Sequence, residues 1–324
     1  MPMPDNDSDA KCAACVVADA GFRHGRRSAL LRLAAATAAF ALPAGFASAQ
    51  AAVATTTAST PRIVVLDWPL TEIVLSIGVV PVGVSRPPWY RMLDGDPPLP
   101  ASVVDTGLLY QPNFEVIGAL KPDLIVVTPW HAPLMSLLQR IAPTQVVPLF
   151  GPGIEVYPAV RAATRELAQR LDRTAAADAL FARADGALEN ASQRLAHFRA
   201  TRRPVYLLHP IDDRHLSVFG KNSLFGGVMA QLGIGNAWGG PTDAQGTTQA
   251  DLAALAHDRD AQAVVIGVPP GAAMQLQKSP VWRALPFVQQ DRVQSIASLP
   301  ALGGLTTSMR FASALAQALE GAGT

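Results

Sequence analysis

Apolar and polar positions along this chain alternate between two textures: short runs with no polar residue, and longer stretches with helical spacing. Arg62 to Asp67, RIVVLD, is the first such run, and its lack of polar alternation predicts a strand covered on both faces. Leu70 to Ile77 follows as a helix, with Ile73, Val74 and Ile77 on one side, Thr71, Glu72 and Ser76 on the other, and Gly78 ending it. Val79 to Val84 is the next strand, and Ser85 to Tyr90 is the loop at its end. The clearest unit spans Pro112 to Trp130. There Asn113 caps a helix, Lys121-Pro122 stops it, and Leu124 to Val127 forms a strand leading into Thr128, Pro129, Trp130 and His131. Leu134 to Ile141 is helical by spacing, and Val146 to Leu149 supplies a further strand.

Strands alternating with helices in this way require right-handed crossovers and a parallel sheet, so their loops gather at the carboxyl edge, where such sheets bind ligands. Trp68, Trp89, Tyr90, Arg91, Tyr110, Trp130 and His131 fall in those loops and make a candidate binding wall.

Beyond this region, Tyr157 to Asp172 is an amphipathic helix and Arg173 to Phe198 a second, unusually long one. At 1.5 Å per residue it would reach roughly 35 to 40 Å, enough to run along two lobes. The remainder repeats the first scheme. Strands are expected at Val205 to Leu208, Leu216 to Phe219, Ala263 to Val268 and Val293 to Ile296. Helices are expected over Leu224 to Leu232, capped by Asn222-Ser223, over Ala250 to Ala256, and over Thr306 to Leu319. The architecture is therefore α/β: two doubly wound lobes, residues 62–156 and 200–324, joined through residues 157–199 by one long backbone helix.

Composition changes the picture mainly at the amino terminus. In residues 1–49, Arg26-Arg27 precede an Ala-rich apolar stretch that ends in Ala47-Ser48-Ala49, the layout of a cleaved export signal of the twin-arginine type. Arg32 and Pro43 interrupt that stretch short of the ~20 residues a membrane span needs. Residues 50–61 read as a flexible tether of small residues. Cys12 and Cys15 are the only cysteines and precede the cut, with no strand or helix pattern around them to make a redox or zinc pair. Cleavage leaves 21 of 26 basic and 21 of 25 acidic residues, a neutral chain with no electrostatic footprint for nucleic acid.

Catalytic signatures are missing. Neither G-x-G-x-x-G nor G-x-S-x-G occurs, and Gly220-Lys221-Asn222-Ser223 lacks the upstream glycine and spacing of a phosphate loop. Asp212, Asp213 and His215 read as a solvated turn. The six histidines, at 24, 131, 197, 209, 215 and 257, show no metal-ligand spacing.

Set side by side, RIVVLDWPLTEIVLSIGVVPVGV, PPLPASVVDTGLLYQPNFEVIGALKPDLIVV, HLSVFGKNSLF, GIGNAW and VWRALPFV resemble the periplasmic iron(III)-siderophore-binding proteins of ABC importers, closest to the ferric-hydroxamate type. The resemblance spans the whole chain after the export signal. It implies the helix-bridged two-lobe fold, capture of an iron–siderophore between the lobes, and delivery to an inner-membrane permease by a periplasmic monomer. It implies no cofactor and no chemistry of the protein's own, since the siderophore already coordinates Fe3+. Tyr90 and Arg91 match the family pattern. A ligand-contacting arginine of the family falls at Leu109, a cleft tyrosine at His131, and cleft tryptophans near Leu93, Gln245 and Pro300. Trp238 and Gln245 are the second lobe's candidate ligand residues, and Glu72 and Asp251 the candidate permease-docking acids. Haem, cobalamin or another chelate remains an alternative ligand in the same architecture. A direct zinc or manganese carrier and an α/β hydrolase-like enzyme are the rival readings.

Overall fold

Residues 61–322, apart from 94, 213 and 269, are described in a computed structural model. The expected export signal, the Cys12–Cys15 pair, most of the tether and Asp213 lie outside them. The first lobe runs β1 (Ile63–Val65), α1 (Trp68–Ser76), β2 (Gly83–Val84), α2 (Pro87–Leu93), β3 (Val104–Asp105), α3 (Phe114–Ala119), β4 (Leu124–Val127), a 3-10 helix (Pro129–Leu134), α4 (Met135–Leu138) and β5 (Thr144–Val146). Its sheet has the order β3-β2-β1-β4-β5, with every pairing parallel. Both all-apolar runs are wholly buried, because helices cover each face. Asn113 caps α3 as the sequence predicts, accepting from the amides of Glu115 and Val116 at 3.1 Å. The chain leaves β1 toward β3 and then returns to place β4 on the other side of β1. The switch point of the sheet therefore lies between the ends of β1 and β4.

Three helices follow: α5 (Val156–Arg170), α6 (Thr174–Arg194) and α7 (Ala196–Ala200). The expected long helix is thus shorter, 21 residues or about 31 Å, and breaks at Leu195. The element packed against both lobes is α5, which meets α1 on one side and α8 of the second lobe on the other, while α6 lies along α5 and α12.

The second lobe comprises β6 (Val205–Pro210), β7 (His215–Phe219), α8 (Leu224–Gln231), β8 (Thr247–Asp251), a 3-10 helix (Leu252–Ala256), β9 (Gln262–Ile266), α9 (Pro270–Lys278), α10 (Pro280–Ala284), α11 (Pro286–Gln289), β10 (Val293–Ile296) and α12 (Leu305–Leu319). Ser223 caps α8 as expected, accepting from the Gly226 amide at 2.9 Å. The sheet order is β10-β9-β6-β7-β8, and here the first scheme is not repeated: β7 runs antiparallel to both its neighbours. Residues 211–214 alone separate β6 from β7, too short a link for a crossover helix, so the pair is a hairpin. The helix expected over Ala250 to Ala256 is replaced by the end of β8 and a 3-10 turn. An edge strand needs no continuous apolar run, and Thr247-Thr248-Gln249 pair well enough with β7 without one.

A single apolar cluster runs through both lobes. It takes Ile73 and Val74 from α1, Val160 and Leu167 from α5, Leu180 from α6, Phe225 from α8, and Phe311 and Leu315 from α12. Phe225 and Phe311 stack with ring centres 4.4 Å apart. Backbone bonds cross as well, from Gly151 N to Ala244 O (3.2 Å) and from Val156 N to Asn222 O (3.1 Å).

Candidate ligand cleft

Successive parallel strands of the first lobe end beside one another and each delivers a side chain to the same opening. After β1 come Asp67 and Trp68, after β2 Arg86, after β3 Leu109 and Tyr110, and after β4 Trp130. With Gln245 and Leu302 from the second lobe, they line a cavity of about 580 Å³ at the switch point. A second cavity of about 340 Å³ shares Trp68 and Leu302 with the first and extends between Leu93 of the first lobe and His209, Phe219 and Pro300 of the second. The cleft is thus built from both lobes.

The indoles are held from behind. Trp68 donates Nε1–H to the Ser85 carbonyl at 2.8 Å and lies parallel to Trp89, ring centres 6.3 Å apart. The Arg86 guanidinium sits 5.1 Å over the Trp89 ring, a cation–π contact that steadies the arginine at the cavity rim. Arg86 itself has a left-handed backbone, φ 48°, with its amide donating to Asp105 Oδ1 at 3.1 Å. Trp130 stacks on Phe150 at 5.3 Å, and Tyr110 leans on Trp130 at 6.1 Å.

Asp67 occupies the floor, 1% exposed. Its Oδ2 accepts the Thr128 hydroxyl at 2.9 Å, a bond that ties the ends of β1 and β4 together. Burial pushes its carboxyl from 3.8 up to about 7, against the downward pull of that hydrogen bond. Folding therefore favours the protonated acid: this contribution to stability is whole below the ordinary carboxylate range and lost as pH rises through about 7. Burial, and then the Asp67 charge, push the Tyr110 phenol up. Burial lowers His131, keeping it neutral, and its Nε2–H donates to the Leu109 carbonyl at 2.9 Å.

The expected wall is thus partly assembled and partly redistributed. Trp68, Tyr110, Trp130 and Gln245 line the main cavity, and Trp89 backs it, 41% exposed. His131 is wholly buried beneath the wall, because its ring is spent bracing the Leu109 carbonyl. Tyr90 is buried too, its hydroxyl donating to the Pro97 carbonyl at 3.0 Å while its ring borders the second cavity. Arg91 lines neither cavity; its guanidinium grips the carbonyls of Leu99 (3.2 Å) and Pro100 (2.9 Å). Trp238 belongs elsewhere, in a surface depression with Tyr206 and His257 that shares no residue with the cleft. Glu72 is not a surface acid: it is fully buried and bonded to the start of α12. Asp251 is exposed and pairs with His215 at 3.3 Å, and Asp212 holds the other ring nitrogen of His215 at 2.8 Å, which makes this cluster a braced turn. Sequence reasoning passed over Asp67, Arg86 and Leu302. The first two carried a signal, since each stands at the carboxyl end of a strand; Leu302 carried none.

Two α/β lobes with a long helix packed along them, closing on an aromatic-walled cavity at their strand ends, define a solute-binding protein of the helix-bridged kind. The chain belongs to the periplasmic binding protein family, which it matches over residues 63–299. It is 34% identical over 261 residues to the iron(3+)-hydroxamate-binding protein FhuD of Escherichia coli, covering 80% of this chain and 87% of that protein. An achromobactin-binding periplasmic protein of Dickeya dadantii is 30% identical over 193 residues, 57% of this chain and 58% of that one. Among solved structures, the siderophore-binding protein FhuD of Vibrio cholerae with bound Fe3+–Desferal superposes with a TM-score of 0.73 at 31% identity, over 81% of this chain and 99% of the other.

Proposed function

We propose that this chain is the periplasmic solute-binding component of an ABC importer, capturing an iron(III)–hydroxamate siderophore in its cleft and handing it to the inner-membrane permease. The observation that supports this reading best is the aromatic cavity at the switch point of a chain 34% identical to a hydroxamate-binding protein over 87% of that protein's length. A ferric hydroxamate is bulky, with an apolar backbone and an oxygen-rich chelate face. Trp68 and Trp130 offer flat apolar area to the former, while Arg86 and Gln245 offer N–H donors to the latter. The siderophore supplies every iron ligand, and among the described residues no group of three or more His, Cys, Asp or Glu is placed to hold a metal. His131, the imidazole that follows Trp130 of the wall, has its Nε2 committed to the Leu109 carbonyl, which counts against haem as the ligand. Export through residues 1–49 and docking through exposed acids such as Asp251 complete the reading. No helix among the described residues is long and apolar enough to cross a membrane.

The test is a titration followed by tryptophan emission. Fe3+–Desferal and an uncharged ferric tris-hydroxamate should each quench it saturably. Arg86→Ala should weaken binding by about tenfold, the worth of one charge-assisted hydrogen bond, while Arg91→Ala leaves affinity unchanged. Emission that ignores every ferric hydroxamate but responds to haem or cobalamin would overturn the assignment.

A further inference from the structure

The main cavity is one of three adjoining spaces. Trp68 and Leu302 are common to it and to the second cavity of about 340 Å³. His209 and Ser298 are in turn common to the second cavity and to a groove of about 520 Å³ that runs past Gly267 and Ser295. The three form a line from the switch point of the first lobe across the strand ends of the second, where β6, β9 and β10 finish. Leu93, Phe219, Leu299 and Pro300 make the walls of the second cavity apolar, and the side chains at its far junction, His209 and Ser298, are polar.

His209 stands near the end of β6, beside the last residue of β9, Ile266, whose carbonyl takes its Nδ1–H at 2.8 Å. A carbonyl only accepts, so Nδ1 carries the proton of the neutral ring and Nε2 is left as an acceptor. Nε2 has no partner among the described residues and is not sealed from solvent, so it faces the open space that the ring borders. No Asp, Glu, Lys or Arg lines the second cavity or the groove. A charged group lodged there would lose hydration without gaining a counter-charge, whereas a neutral donor would find an acceptor waiting. We propose, building on the function above, that the second cavity is a subsite for a pendant arm of the siderophore. Methylenes of the arm lie along the apolar walls, and a neutral N–H or O–H at its end donates to His209 Nε2. The main cavity thus holds the ferric chelate, and the second selects hydroxamates whose arm is uncharged and tipped with a donor.

Three ferric tris-hydroxamates with related chelate cores separate the two roles: a cyclic one without an arm, Fe3+–Desferal, whose free end is a charged aminopentyl group, and N-acetylated Fe3+–Desferal, whose free end is a neutral amide. Titrated against the full chain by tryptophan emission, the acetylated chelate should bind about five- to tenfold more tightly than the cyclic one, and more tightly than the free amine. His209→Phe removes the acceptor and keeps a ring, while Ser298→Phe, at an exposed position, fills the far junction and leaves His209 in place. Each should bring the ratio of the acetylated to the cyclic affinity close to one without changing the affinity for the cyclic chelate. With Ga3+ in place of iron, the His209 Nε2 resonance should shift on adding the acetylated chelate and stay in place with the cyclic one. An acetylated chelate that binds no more tightly than the cyclic one, or a preference that survives either variant, overturns the subsite and leaves the proposed function standing. So does tighter binding of the free amine than of the amide, which would mean that the cavity holds a cation. Failure of all three chelates to bind overturns the function and the subsite together.

Discussion

Glu72 sits on the polar side of its helix by sequence spacing, yet the fold buries it completely. Its carboxylate accepts from the Gly304 amide at 2.6 Å, the Thr307 amide at 2.9 Å and the Thr307 hydroxyl at 2.7 Å. Those amides open α12, whose own cap residue, Gly304, has no side chain to offer. A first-lobe acid thus caps a second-lobe helix, where the helix dipole favours negative charge. The approach is close: a Cβ at Gly303 would stand 2.7 Å from Glu72 Oε2, and one at Gly304 would stand 2.9 Å from Oε1. Glu72→Ala should therefore destabilise the protein by about 2–4 kcal/mol, through lost bonds and orphaned buried amides. Urea unfolding would measure it, and a loss near zero would show that the clasp is idle. Nothing in the spacing of residues 68–76 signals this partner, which lies some 230 positions along the chain. Arg86 and Arg91 make the complementary case: both lie close behind β2, and only backbone direction decides which one reaches the cleft.

At the scale of elements, the chain's periodicity was most informative where both faces of a strand are covered. β1, β4 and β9 announce themselves as apolar runs because no position on them meets water. β8 does not, because an edge strand exposes one face and leaves a mixed pattern that helical spacing mimics as well. Turn length carried the direction of β7, since a link of four residues permits only a hairpin. The helix α6 keeps a glycine in its interior. Gly186 is exposed, and a Cβ there would meet nothing within 4 Å. Gly186→Ala should raise stability by about 0.5–1 kcal/mol, through backbone entropy and propensity alone, with ligand affinity unchanged. Thermal unfolding checks it, and a destabilised variant would mean that α6 is distorted there.

For the molecule as a whole, what matters is that the lobes share one core. The cluster that begins at Ile63 continues through α5 and α6 to Leu319, so opening the cleft by a large rotation would tear packed side chains apart. Calorimetry should accordingly show one cooperative transition for residues 61–322, with equal calorimetric and van't Hoff enthalpies. Two separated transitions would mean that each lobe is stable alone and that the shared core contributes little.

The local pattern of apolar and polar residues was enough to set the alternation of strands and helices, the parallel first sheet and the carboxyl edge on which its aromatic residues gather, because these depend on periods of two and 3.6 residues that any short window contains. Which side chains face the cleft depended on contacts between remote segments. Asp67 meets Thr128 across 61 positions, and Glu72 meets Thr307 across 235. Burial at such contacts, created only when the sheets close and the lobes dock, pushed the carboxyl of a strand-end aspartate up to about 7 against its Thr128 hydrogen bond, and hydrogen bonding turned an apparent surface glutamate into an internal clasp.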